Sequence, residues 1–159
     1  MIIRKAIKED FEQYWKLQNE YLKELDQEKY YHKDISVKLD KIKYKKHFNK
    51  IIKKRAFFVL VIEEQNNLLG LFEGVIFDLN KDGDIYKKRR IGYVDNVFIK
   101  KNFRKKGLFA KLQKEFENYL KIKQIKHCFL NVSIKNIPAY KSYLKKGFKI
   151  QDYKMHKEL

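Results

Sequence analysis

Residues 97–108 read Val97-Phe98-Ile99-Lys100-Lys101-Asn102-Phe103-Arg104-Lys105-Lys106-Gly107-Leu108, an apolar stretch followed by a short basic turn. The apolar part has the make-up of a buried strand. Beyond the turn, Leu108, Leu112, Phe116, Tyr119 and Leu120 recur at helical spacing, so the turn joins a strand to a helix. The first amides of a helix have no partner within it, and its N-terminus carries partial positive charge. Gly107 lets a ligand approach the backbone closely, and Lys105 and Lys106 add charge, which makes the junction a candidate phosphate site. On these residues alone, an ordinary strand-to-helix turn with solvated lysines is the alternative.

Working outward, Ile91–Ile99 is the strand that enters this turn. Leu68–Phe77 and Ala56–Ile62 are two more strands, joined by the turn residues Gln65-Asn66-Asn67 into a hairpin. The polar stretch Asn80–Arg90 loops between the second and third strands of this meander. Upstream, Ile2–Ala6 is a short first strand. Asp10 reads as a helix N-cap with Gln13 as its capping-box partner, ahead of Phe11, Tyr14, Trp15, Leu17, Tyr21, Leu22 and Leu25 at helical spacing. A second helix spans about Leu39 to Lys54, with Tyr44, Phe48, Ile51 and Ile52 on one stripe. Downstream, His127–Val132 is a strand and Ile137–Lys145 a helix closed by Gly147. Phe148–Lys157 is a final strand. The expected class is α+β, a mixed, mostly antiparallel sheet flanked by helices in an α/β/α sandwich. A doubly wound fold would need helices between most strands, which this order lacks.

Composition sets the outer bounds. The 159 residues are 44% hydrophobic and 15% aromatic, enough to bury a core despite 36% charged residues. One proline and six glycines form no linker, so residues 1–159 read as a single domain. No apolar run approaches the ~20 residues of a membrane helix, and the N-terminus lacks the apolar core of a signal peptide. A cytoplasmic location follows as the expectation. Cys128, the single cysteine, excludes an internal disulfide, and its apolar strand setting reads as core packing. The net charge of +18 would suit a polyanion. Yet only five basic residues are arginine (Arg4, Arg55, Arg89, Arg90, Arg104), and the lysines are spread along the chain. Nucleic-acid readers favour clustered arginine, so a basic nucleic-acid-binding module is the weakest alternative.

A second motif follows the first in order. Asn136-Ile137-Pro138-Ala139-Tyr140-Lys141-Ser142-Tyr143-Leu144-Lys145-Lys146-Gly147-Phe148 places Asn136, Ala139, Tyr143, Gly147 and Phe148 on and after the last helix. Tyr143 alone would read as a core aromatic. Together, the two segments resemble the signature of GNAT N-acetyltransferases. Arg104 and Gly107 match the Arg/Gln-x-x-Gly-x-Gly/Ala motif that grips the cofactor pyrophosphate, and Phe109 departs from its last position. The downstream residues are similar to the family's Asn, Ala, Tyr, Gly-Phe motif. The specificity of the resemblance lies in residues 93–148.

The resemblance implies a three-layer acyl-CoA N-acyltransferase fold and acetyl-CoA as cosubstrate. By it, Val97, Phe98 and Ile99 pair with the pantetheine arm. Arg104, Lys105, Lys106, Gly107, Leu108 and Phe109 meet the pyrophosphate, and Asn136, Ala139 and Tyr143 complete the cofactor site. Such an enzyme needs a proton sink, because an alkylamine is only about one part in a thousand free base at neutral pH. Tyr143 is the implied acid for the departing thiolate and Asp95 the implied base, with Glu73 the second choice. The acceptor is an amine, a small molecule favoured over a protein, and Tyr14, Trp15, Tyr21, Tyr30 and Tyr31 would help to shape its pocket. The chain would act as a monomer or homodimer, and a non-enzymatic CoA-binding regulatory protein is the main alternative. Asp78–Ile85 resembles the start of a calcium loop, but its twelfth position is Arg89, so no metal site is expected there. The four histidines lack metal-ligand spacing.

Overall fold

Apolar alternation along the strands builds a mixed sheet with helices on both faces. The computed structural model describes residues 1–27, 40–79, 89–152 and 157. Among these, five strands lie side by side in chain order: β1 (Ile2–Lys5), β2 (Phe57–Glu64), β3 (Asn67–Asp78), β4 (Arg90–Ile99) and β5 (Cys128–Leu130). The first four run antiparallel and β5 pairs parallel to β4. Four helices accompany them: α1 (Phe11–Gln27), α2 (Lys41–Ile51), α3 (Leu108–Ile122) and α4 (Ile137–Lys145). The layered α+β architecture expected from the sequence is the one observed.

The period of two divides the core. Val59, Val61 and Leu71 face α1 and α2, where they pack with Phe11, Tyr14, Leu17, Phe48 and Ile51. Leu60, Ile62, Phe72 and Val94 face α3 and meet Leu112, Phe116 and Leu120. Two strand glycines let α3 lie close to the sheet. A Cβ on Gly74 would fall 2.4 Å from the Phe116 ring, and one on Gly92 would fall 2.4 Å from Leu120.

The turn between β2 and β3 puts Gln65 (φ 49°) and Asn66 (φ 61°) in the left-handed region, the pattern of a two-residue hairpin that matches strand twist. Three expectations are corrected. Asp10 and Gln13 form no capping box. Asp10 instead accepts from the Ile7 amide (2.8 Å) and pairs with Arg4, while Gln13 reaches across to Asn66 and Leu68 in the hairpin. Tertiary partners displace the local cap. The helix expected over Leu39–Lys54 is shorter: the Asp40 side chain caps its start by accepting from the Lys43 amide, and it ends at Ile51. The expected terminal strand is not formed over residues 148–152; Phe148 packs on Tyr143 and the residues after it are exposed. Residues 153–156 and 158–159 lie outside the described residues, as do Tyr30, Tyr31 and the central part of the calcium-loop-like stretch.

Candidate active site

The site begins with one extra residue in β4. Glu73 stands opposite Asn96 and Gly74 opposite Val94, so Asp95 has no counterpart on β3. Such a bulge breaks the period of two. Val94 and Val97 both pack on the α3 side. Asn96 reaches Glu73 on the other side. Pairing of β4 with β5 ends at Val94 and Leu130, so Asp95–Ile99 have no neighbouring strand on that side among the described residues. The resulting cleft has a volume of about 70 Å³. Asp95 and Val97 form one wall and Asn131–Ser133 the other. Tyr21 and Leu25 of α1 approach it, as do Asn136, Ala139 and Tyr143 of the α4 segment.

The two candidate carboxylates differ sharply. Glu73 is only 5% exposed. Its Oε1 accepts from Tyr14 Oη, Gln18 Nε2 (3.0 Å) and Tyr44 Oη (3.4 Å), and its Oε2 from Asn96 Nδ2 (2.8 Å). Burial raises its pKa above the ordinary carboxylate value more than these donors lower it. Burial and the Glu73 charge likewise raise the phenols of Tyr14 and Tyr44. Asp95 is exposed to the cleft, and its carboxylate forms no hydrogen bond or ion pair among the described residues. Partial desolvation raises its pKa, and the His47 charge opposes this.

The turn after β4 is rich in free donors. Residues 101–103 form one 3₁₀ turn, and Lys105 (φ 62°) and Gly107 (φ 74°) both adopt left-handed backbone. Among the described residues, the backbone amides of residues 105–110 donate to no protein acceptor; the ladder of α3 starts with Lys111 bonding to Gly107. Successive unsatisfied amides in such a turn form an anion-binding concavity, and the space around Gly107 is open. This donor set suits a diphosphate. Arg104 is occupied differently. Its two terminal nitrogens pair with both oxygens of Glu24 on α1 (2.8 and 2.7 Å), and its Nε donates to the Ile99 carbonyl (2.6 Å). The guanidinium also lies 5.6 Å from the Phe98 ring centroid. The guanidinium therefore already has protein partners, and the unsatisfied donors belong to the backbone.

On α4, the Asn136 side chain caps the helix by accepting from the Ala139 amide (3.2 Å). Tyr143 faces the cleft with its ring edge-to-face with Phe109 (5.3 Å) and Phe148 (5.7 Å). Phe109 thus turns toward Tyr143 from the first turn of α3. Of the aromatic residues expected to shape an acceptor pocket, Tyr21 lines the cleft, Tyr14 is fully buried with its hydroxyl on Glu73, and Trp15 packs on Tyr44. Sequence reasoning missed Gln18, Glu24, Tyr44 and Asn96. One signal was available: the polar pair Asp95-Asn96 separates Val94 from Val97 by an odd step, which a regular strand with one buried face would not show. Nothing local marks Glu24, whose partner is 80 residues away. Among the described residues, no helix is long and apolar enough to cross a membrane.

The comparisons with known proteins agree with this fold. A family model described as the acetyltransferase (GNAT) family matches residues 7–148. A tetramutant of the BH1408 protein from Bacillus halodurans superimposes with a TM-score of 0.85 at 19% identity, covering 100% of both chains. The apo aminoglycoside 6'-N-acetyltransferase AAC(6')-IG from Acinetobacter haemolyticus gives 0.74 at 11% identity, over 100% of this chain and 98% of that one. A predicted acetyltransferase from Clostridium acetobutylicum, solved with acetyl-CoA, gives 0.73 at 21% identity, over 99% and 95%. At these identities the likeness establishes the fold. No curated protein matches the chain in sequence.

Proposed function

The chain belongs to the GNAT acetyltransferase family, and we propose that it transfers the acetyl group of acetyl-CoA to a primary amine of a small molecule by direct attack. One observation carries the reading. An unpaired carboxylate, Asp95, and a tyrosine, Tyr143, line the same cleft, and Phe109, among the free amides of residues 105–110, touches that tyrosine.

Acetyl-CoA, when bound, supplies the activated thioester. The amides of residues 105–110 would hold its diphosphate, with Lys105 and Lys106 adding charge, and the unpaired edge of β4 over Val97, Phe98 and Ile99 would receive its arm. An amide near Ile99 would polarise the thioester carbonyl. Arg104 serves this site by fixing the Ile99 carbonyl and the turn, Asn136 by capping α4, and Ala139 by leaving room on the cleft wall. Asp95 takes the proton that the acceptor ammonium must lose, directly or through water; its raised pKa makes it a better proton acceptor than an ordinary aspartate. The Tyr143 hydroxyl holds a proton for the departing sulfur. Cys128 is not the nucleophile of an acyl-enzyme: burial and the nearby Glu117 charge push its thiol up to about 12. Such an enzyme would work in the cytoplasm.

The test is thiol release from acetyl-CoA across a panel of small primary amines. The wild type turns over at least one of them, D95N loses about a hundredfold or more in kcat/KM, and Y143F loses kcat while keeping its affinity for acetyl-CoA. Tight acetyl-CoA binding with no amine-dependent thiol release from any acceptor would point to a regulatory CoA-binding protein instead.

A further inference from the structure

Glu73 is the most heavily engaged side chain near the cleft. Its carboxylate offers about four acceptor positions, and Tyr14, Gln18, Tyr44 and Asn96 supply four donors from α1, α2 and β4. Glu73 is buried and does not line the cleft, so it is not placed to take a substrate proton. Three of the donors converge on Oε1, which fixes the carboxylate from the helix side. Oε2 then receives Asn96, the residue next to the bulge. We infer that Glu73 is a positioning residue: held by Tyr14, Gln18 and Tyr44, it keeps Asn96 in place and so fixes the bulge that presents Asp95 to the cleft. This rests on the reading above, in which Asp95 is the base.

The competing register makes the role concrete. Without the bulge, Asn96 would turn to the α3 side, among Val94, Phe116 and Leu112, and an unpaired amide there would be costly. The bulge satisfies Asn96 on Glu73 and keeps Val97 and Ile99 in the apolar layer. Asp95 is then turned out on the same side as Asn96, into the field of the groups around it. These are Glu73 on β3, Tyr44 and His47 on α2, Tyr14 on α1 and Tyr143 on α4.

The experiment compares E73Q, N96A and D95N in the full chain, after thermal melts establish that each is folded. If Glu73 positions, E73Q keeps the acidic limb of the kcat/KM–pH profile. In E73Q, kcat falls by about tenfold to a hundredfold, as expected for a small misplacement of a reacting group, with the KM for acetyl-CoA nearly unchanged. N96A shows a similar loss, and the double variant is no worse than the poorer single one. D95N alone abolishes the limb. Loss of the limb in E73Q with its survival in D95N would make Glu73 the base and overturn the inference. Unchanged kcat and pH profile in both E73Q and N96A would overturn it as well.

A second arm does not depend on turnover. In E73Q the amide resonances of residues 94–97 should shift from their wild-type positions, as Asn96 loses its carboxylate partner. In N96A the amide resonances of residues 94–97 should shift while those of β2 stay put. Absence of acetyl transfer in the wild type would sink the proposed function, whereas unmoved NMR signals would sink the positioning role.

Discussion

At the scale of the residue, Glu73 combines a structural cost with an organising role. Its folded pKa lies above the unfolded value of 4.5, so the native state holds the proton more tightly than the unfolded chain. Its contribution to stability is complete below that value and is lost as the pH rises through the folded pKa. Replacing it by glutamine removes this dependence. Melting temperatures measured from acid to neutral pH should therefore show E73Q gaining on the wild type as the pH rises, whatever constant offset the altered hydrogen bonds add. A difference that instead grew toward acid would mean that the four donors outweigh burial. Little of this was legible in the sequence. Glu73 could be named as a carboxylate on a strand, but its depth depends on Tyr14 and Gln18, which lie 59 and 55 residues away. Arg104 shows the same limit from the other side. Its motif was readable, and its partner Glu24 was not.

At the scale of the element, the sequence conveyed more, because strands and helices follow from local periodicity. The apolar runs in β2, β3 and β4 and the stripe on α3 were visible without partners. What failed were features decided by neighbours: the Asp10 cap, taken by Arg4, and the terminal strand, from which Phe148 is drawn onto Tyr143. The bulge in β4 lies between these cases, since its odd spacing is written in Val94 and Val97. Phe109 provides the test at this level. It occupies a position where the family usually has Gly or Ala, and its ring stands edge-to-face with Tyr143. Such a pair is worth about 0.5–1.5 kcal/mol. F109A should therefore lower kcat by roughly fivefold to tenfold, about 1–1.4 kcal/mol, as Tyr143 loses its orientation, with acetyl-CoA affinity unchanged. Stronger acetyl-CoA binding at undiminished kcat would show that Phe109 presses on the cofactor and does not support Tyr143.

At the scale of the whole molecule, a chain of net charge +18 surrounds a cleft lined by Asp95, whose charge raises the ionisation cost of the buried Glu73 nearby. The sheet supplies two geometric devices, the bulge in β4 and the end of β4–β5 pairing at Val94 and Leu130, and the site follows from them. The second depends on where β5 stops, which no local pattern in Cys128–Leu130 records, so the cleft had to be seen in three dimensions. A basic surface would attract any anion, and the decisive distinction is between that general attraction and a shaped site. Calorimetric titration of acetyl-CoA, CoA and an unrelated polyphosphate nucleotide at two salt concentrations separates them, because screening weakens exposed charge more than a built donor set. A shaped site predicts acetyl-CoA binding at least about tenfold tighter than the control nucleotide, or about 1.4 kcal/mol, with the preference kept at the higher salt. Equal affinities that collapse together as salt is raised would contradict it and leave only the charge of the surface.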